Sequence, residues 1–274
     1  MSGITVLKLG GELLDDDTAL KAVAAAIVRL SAGGPLVVVH GGGRAIDGEL
    51  RARGRSPVFA DGLRVTDAAA LEAVVDVLAG RTNTALVAAV GAAGGRGVGL
   101  TGADGRIGLA TLARPHRTVD GLTVDLGLVG EPDAAEASLL LDLVRLRCIP
   151  IVASLGVDRE GRLLNVNADV LAAHLAAIIG ASRLIVAGTT AGVLDREGRT
   201  IATVAAEDIE EMAAAGAAHS GMIAKLLACR SALDRGVGEV AIVSGRTAGP
   251  LEQAPGTRLT YRGSTTPSQA EITA

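Results

Sequence analysis

The chain carries 26 basic side chains, of which three are lysines, Lys8, Lys21 and Lys225, and 23 are arginines. A sequence that uses arginine almost everywhere keeps lysine where a compact point charge serves better than a planar fork. Lys8 ends the apolar run "ITVLK" just before Gly10 and Gly11, and Lys225 closes "GMIAK" at 221–225. Lys21 lies within an alanine-rich helical stretch and reads as a solvated surface residue. A third feature is "NVNAD" (165–169), which holds Asn165 and Asn167, two of the chain's three asparagines, and Asp169 at a helix start. Asn and Asp are the preferred N-caps, but a cap needs only one polar group. The surplus points to a site.

Two strand-to-helix turns are glycine-rich, "KLGGE" (8–12) and "VVVHGGGRAID" (37–47). In a parallel sheet such turns open at the carboxyl ends of the strands, where ligands bind. Glycine lets backbone N–H groups approach an anion, and a helix N-terminus adds partial positive charge. For either turn alone, a tight bend explains the glycines equally well; two on one sheet edge favour a phosphate cradle. A dinucleotide fingerprint fails because Ile46 stands where its third glycine belongs, and a P-loop fails because no Gly-Lys pair occurs.

Length and composition set the frame for these residues. The 274 residues suffice for one large α/β domain or two lobes. Hydrophobic residues make up 49%, yet Phe59 and Tyr261 are the only aromatics, so Ala, Val, Leu and Ile must build the core. Base-stacking platforms are excluded by that poverty. A net charge of -4 without a basic run gives no footprint for nucleic acid or an anionic membrane. No uninterrupted apolar run approaches the roughly 20 residues of a membrane span, and no signal segment opens the chain; a cytoplasmic location is expected. Cys148 and Cys229 read as small hydrophobes, and four scattered His argue against a zinc centre.

Short β-branched runs alternate with Ala/Leu-rich amphipathic stretches. Strands are predicted at 4–9, 35–39, 97–101, 148–153, 183–187, 239–243 and near 257–261. Helices are predicted at 18–31, 43–54, 67–94, 134–147, from 168 to about 180, 206–215 and 220–235, with hairpins around 119–123 and 158–161. This alternation implies a mainly parallel sheet covered on both faces. A lobe boundary near residue 175 would divide an N-terminal lobe (1–175) from a C-terminal one (176–274). No Pro/Gly/Ser linker marks it, so one sheet can run through both. The polar tail 263–274 is expected to fray.

In order and spacing, "KLGG", "HGGG", "DGLRVTD" (61–67), "DLGLVGE" (125–131), "LLNVNAD" (163–169), "AGVLD" (191–195) and "GMIAK" resemble the amino-acid-kinase family, most of all its N-acetylglutamate kinase branch. The resemblance covers nearly the whole chain to about residue 262. It implies a three-layer α/β/α sandwich, an acyl-amino-acid site with the dimer contact in the first lobe, and ATP with Mg2+ in the second. The reaction would carry the γ-phosphoryl of MgATP to the side-chain carboxylate of N-acetyl-L-glutamate. Carried over by motif, Lys8 and Lys225 would neutralise the transferring phosphoryl, with Asp169 holding both ammonium groups. Gly10, Gly11, Gly42 and Gly43 would offer N–H groups to the phosphates. Gly42, Gly43, Arg64, Asn165 and Asn167 would form the substrate side, Arg64 gripping a carboxylate. Thr189, Gly192, Ser220, Gly221 and Met222 would join Gly10 and Gly11 on the nucleotide side.

The chemistry suits those residues. A side-chain carboxylate of pKa about 4.3 is already ionised at neutral pH, so the nucleophile needs no general base. The obstacle is repulsion between anions, which positioning and preorganised positive charge must overcome. Two departures fall in the nucleotide half: Thr189 stands at a usually acidic position, and Ser220 replaces a glycine. They keep open a non-catalytic ligand-binding relative, beside a kinase for another acylated amino acid such as an aminoadipate derivative. A dinucleotide-dependent oxidoreductase is a distant third. Arginine-inhibited members carry an extra N-terminal helix, for which seven residues before Lys8 leave no room. A homodimer insensitive to arginine is therefore expected.

Overall fold

A computed structural model describes residues 3–118, 120–133, 136–195, 197–214, 220–246 and 249–262. The expected tail at 263–274 lies outside the described residues. Eight strands form the central sheet: β1 (Thr5–Leu9), β2 (Leu36–His40), β3 (Gly97–Thr101), β4 (Ile149–Ala153), β5 (Arg183–Gly188), β6 (Thr203–Ala205), β7 (Glu239–Ser244) and β8 (Gly256–Thr260). Their spatial order is β6-β8-β7-β5-β1-β2-β4-β3. Every neighbouring pair is parallel except β7 with β8. β1 lies inside the sheet, with Lys8 level with Val39 of β2 and Val186 of β5. Through the β1–β5 pairing the sheet crosses from one half of the sequence to the other.

Alternation along the buried strands builds two cores. Val6, Val39, Val152, Val186 and Ile242 face one side, where they meet helices α5 (Ser138–Arg145), α6 (Ala168–Ile178) and α8 (Ser220–Asp234). Leu7, Leu9, Val38, Ile151 and Ile185 face the other, against α1 (Asp17–Ala32) and α4 (Asn83–Ala92). Strands buried on both faces read as continuous apolar runs, which made them visible in the sequence. Helices α2 (Gly43–Ala52), α3 (Ala68–Val75) and α7 (Ile209–Ala214) complete the layers. The three-layer sandwich is therefore observed, with aliphatic side chains as its filling.

Asp16 and Asp67 cap α1 and α3, their carboxylates accepting from Ala19 N and Ala70 N, each at 2.8 Å. The stretch expected as helix 67–94 is one continuous helix interrupted by a π turn at Asp76–Thr82. By length and composition alone Ala68–Ala92 could cross a membrane. Yet Val74, Val77, Leu78, Leu86 and Val90 are buried in the protein's own cores. The helix expected at 134–147 is shorter, Ser138–Arg145, and opens at Ala137 without a side-chain cap. The expected hairpin at 158–161 belongs to a second, four-stranded sheet: Leu155–Val157, Leu163–Val166, Val129–Pro132 and Ala110–Leu112. The last two carried no strand signal, Val129–Pro132 because Gly130 and Pro132 break it and Ala110–Leu112 because it is only three residues long.

Candidate active site

Lys8 leaves the carboxyl end of β1 only 6% exposed. Its Nζ lies 2.9 Å from Oδ1 of Asp169, in the first turn of α6. Asn167 sets that turn, its Oδ1 accepting from the N–H groups of Asp169 (2.9 Å) and Val170 (3.2 Å). On the adjacent helix α8, Lys225 Nζ donates to Asp169 Oδ1 and Oδ2 at 3.2 and 3.3 Å. The two lysines that stood out by rarity thus meet on one carboxylate, while Lys21 lies exposed.

Burial pulls the Lys8 ammonium below its ordinary 10.5, against the opposing charge of Asp169. Burial pulls Lys225 the same way, but the charge and hydrogen bonds of Asp169 outweigh it and hold Lys225 higher. Burial alone would raise Asp169, yet the two ammonium groups keep it below 3.8. Within this trio two cations face one anion, an excess of one positive charge that the Glu12 carboxylate, on the same cleft, offsets only from further away.

This charge sits in a cleft of about 400 Å³ lined by both glycine turns. A Cβ on Gly11 would stand 2.5 Å from Gly42 Cα, so the turns touch backbone to backbone. A Cβ on Gly42 would stand 2.7 Å from Leu78 Cδ2. Gly11→Ala is expected to force the loops apart and lower kcat/KM at least tenfold, about 1.4 kcal/mol, while the far-UV circular dichroism stays native. Steady-state kinetics on the folded variant checks it; an unchanged kcat/KM would refute the required contact.

Opposite the lysines, Arg64 is held by Asp47 Oδ1 (2.5 Å) and Gly43 O (3.3 Å), with its guanidinium 4.7 Å from the Phe59 ring centroid. Its Nη1 is buried with no partner among the described residues. Asn165 Nδ2 donates to the buried Thr66 Oγ1 at 3.0 Å, tying "NVNAD" to "GLRVTD". Gly10, Gly11, Gly42, Gly43, Arg64, Asn165, Asn167, Asp169 and Gly221 all line the cleft with Lys8.

The remaining nucleotide-side candidates lie off that lining. Thr189 follows β5, half-buried. Gly192 has φ +98°, and a Cβ there would meet Thr257 Oγ1 at 2.5 Å, so its glycine is already explained by packing against β8. Met222 packs against the core beneath α8. Ser220 opens α8, and its side chain lies outside the description. Cys229, one turn beyond Lys225, is buried and pushed up to about 12 by that burial, an inert filler; Cys148 is half-buried.

Residues 3–244 match the amino acid kinase family. The chain belongs to that family. An acetylglutamate kinase of Bradyrhizobium sp. (strain ORS 278) is 41% identical over 248 residues, covering 88% of this chain and 83% of the relative. Among solved structures, smu.665 of Streptococcus mutans UA159 superposes with a TM-score of 0.80 at 27% identity, covering 95% of this chain and 99% of that one. N-acetylglutamate synthase of Neisseria gonorrhoeae, complexed with coenzyme A and N-acetyl-glutamate, superposes at 0.81 with 26% identity. It covers 96% of this chain, which spans 60% of the synthase chain.

Within this amino acid kinase fold, two cleft residues, Phe59 and Glu12, and Asp47, which holds the cleft residue Arg64, were not singled out by the sequence. Asp47 is only the last residue of "VVVHGGGRAID" in the sequence, one more acidic helix residue. Phe59, the single phenylalanine, could have been flagged by its rarity beside "DGLR". Glu12 folds back over the first turn: its Oε1 lies 2.5 Å from where a Gly10 Cβ would stand and 3.5 Å from a Gly188 Cβ.

Proposed function

We propose that the protein transfers the γ-phosphoryl group of MgATP to the side-chain carboxylate of N-acetyl-L-glutamate, the acetylglutamate kinase step of arginine biosynthesis. The observation that carries this reading is the convergence of Lys8 and Lys225 on Asp169 beside two glycine turns. The surplus positive charge suits an incoming anion, and the carboxylate nucleophile, already ionised, finds its repulsion from the phosphoryl offset there. A carboxylate oxygen forms the new bond to the γ-phosphorus as the bond to the bridging oxygen breaks and ADP leaves. Lys8 and Lys225 would neutralise the equatorial oxygens, and Gly11, Gly42 and Gly43 would donate N–H groups to the phosphates; the Gly10 N–H, expected to join them, is instead donated to Ala187 O at 2.9 Å. The half of the chain up to residue 175 would hold the acyl amino acid and the dimer contact, and the half from 176 the nucleotide, with Thr189, Gly192, Ser220, Gly221 and Met222 nearest it. The enzyme would act in the cytoplasm.

Mg2+ would arrive with the nucleotide and spread the phosphate charge. No cluster of three potential metal ligands occurs among the described residues, which fits an ion held mainly by phosphates and water. Asp169 is committed to two lysines and Asp61, the third cleft carboxylate, is bonded to His116, so Glu12 would be the one to face the ion.

A hydroxylamine-trapping assay for acyl phosphate with MgATP and N-acetylated diacids tests the reading. Signal is expected with N-acetyl-L-glutamate above N-acetyl-aminoadipate; silence from folded protein would favour a ligand-binding relative. The unmet Nη1 of Arg64 supports a carboxylate held by a fork. Arg64→Lys should raise the KM for N-acetyl-L-glutamate about tenfold or more, with the KM for ATP little changed. Light scattering should report a dimer, with turnover unaffected by arginine.

A further inference from the structure

Beneath the second glycine turn lies a buried polar pair that the proposed chemistry does not use. His40, the last residue of β2, is fully buried, and Asn83, the first residue of α4, is 5% exposed. Asn83 Nδ2 stands 3.0 Å from His40 Nε2 and 2.8 Å from the Ile151 carbonyl of β4. A carbonyl can only accept, so the amide nitrogen must face Ile151, and the same nitrogen donates to Nε2. His40 is therefore the Nδ1–H tautomer, and that hydrogen is donated to Gly41 O at 3.1 Å. Both ends of the imidazole are specified.

The Gly41–Gly42 peptide is trans, so fixing its carbonyl fixes the opposite direction of the Gly42 N–H. That N–H donates to no protein acceptor among the described residues, and Gly42 lines the cleft against Gly11. The π turn makes the arrangement possible. Leu78 packs on Gly42 and Asn83 reaches His40 from the same helix. Five residues apart they would stand about 140° apart on an ordinary α-helix; the wider π turn closes that angle. Gly99 of β3 leaves the room, since a Cβ there would fall on Asn83 Oδ1.

We propose that His40 and Asn83 are positioning residues that lock the Gly41–Gly42 peptide so that the Gly42 N–H stays aimed at the transferring phosphoryl group. The role rests on the kinase reading above. It separates the two ends of the imidazole. His40→Asn keeps a donor near Nδ1 and loses the Asn83 bond; His40→Gln keeps a partner for Asn83 and loses the bond to Gly41. Each loses one hydrogen bond, so a purely structural role would lower melting and turnover alike in both.

The expected result is asymmetric. His40→Gln should lose at least about tenfold in kcat with KM values within about threefold, and His40→Asn should recover most of that turnover. Equal turnover in the two variants would overturn the proposal. Where neither variant folds, 15N spectra of the imidazole in the wild-type protein decide: Nδ1–H supports the lock and Nε2–H refutes it. If the wild type makes no acyl phosphate, the kinase reading fails by itself. The same contrast is then read as MgATP affinity by calorimetry, weaker about tenfold in His40→Gln alone, and equal affinities would again overturn the lock.

Discussion

Lys8→Arg is expected to lower kcat by well over tenfold while leaving the KM for N-acetyl-L-glutamate within a few-fold of wild type. Charge is conserved in this variant, so the loss isolates shape. The Lys8 side chain is 7% exposed, and its single nitrogen meets Asp169 at 2.9 Å. A guanidinium carries its charge over a planar fork and demands more volume at the end of a buried strand. It would either push α6 away or turn its fork from the position that a transferring phosphoryl occupies. Each 1.36 kcal/mol of transition-state stabilisation lost is a factor of ten. Losing the orientation of one buried cation costs more than that when the reaction has little besides positioning and charge to drive it. Single-turnover acyl-phosphate formation measures the step directly. Near-normal turnover would show that any cation at residue 8 serves, and the argument from lysine rarity would fall with it.

That rarity is why much of the site was legible. Selection of lysine at two positions of an arginine-rich chain is a chemical choice, and it needs no knowledge of the fold to be noticed. The central strands were equally plain, because burial on both faces writes uninterrupted Val, Ile and Leu. What escaped notice is contact between residues whose types are ordinary. Asp47 reads as one more acidic helix residue until Arg64, 17 positions on, is found bonded to it. Asn83 reads as a helix residue of poor propensity until a histidine 43 positions away accepts its hydrogen bond. The π turn left no mark either, since its residues Asp76–Thr82 continue a helical pattern on both sides. The strand Val129–Pro132 was hidden by its glycine and proline, though Gly130 is demanded by its neighbours: a Cβ there would stand 2.9 Å from Leu164 Cβ. Local propensity specifies the scaffold, while the polar contacts of the site are settled only by the packing.

Removing the shared anion is the sharper test of the charge arrangement. Asp169→Asn would leave Lys8 and Lys225 as neighbouring buried cations with no carboxylate between them. Breaking a buried pair by deleting one partner costs about 3–5 kcal/mol, so Tm should fall by roughly 10 °C, with turnover reduced more than a hundredfold. The pH dependence carries the sign. Asp169 is held below 3.8 in the folded protein, so its contribution is complete above the unfolded carboxylate value of about 3.9 and fades as pH falls through the lower folded value. Lys225 is held above 10.5, and its contribution fades only as pH rises through that raised value. In the variant, Lys8 loses the carboxylate that opposed its burial, and its pKa should drop further. A deprotonated Lys8 relieves the repulsion, so the variant should regain stability from a lower pH, and by more, than the wild type, in which Asp169 partly offsets the burial that lowers Lys8. Urea unfolding across pH should therefore show the gap between the two proteins widest near neutrality and closing toward both extremes. A gap independent of pH would mean that Asp169 supports the helix start and not the charges, since its isosteric amide keeps the shape and one acceptor oxygen but not the negative charge.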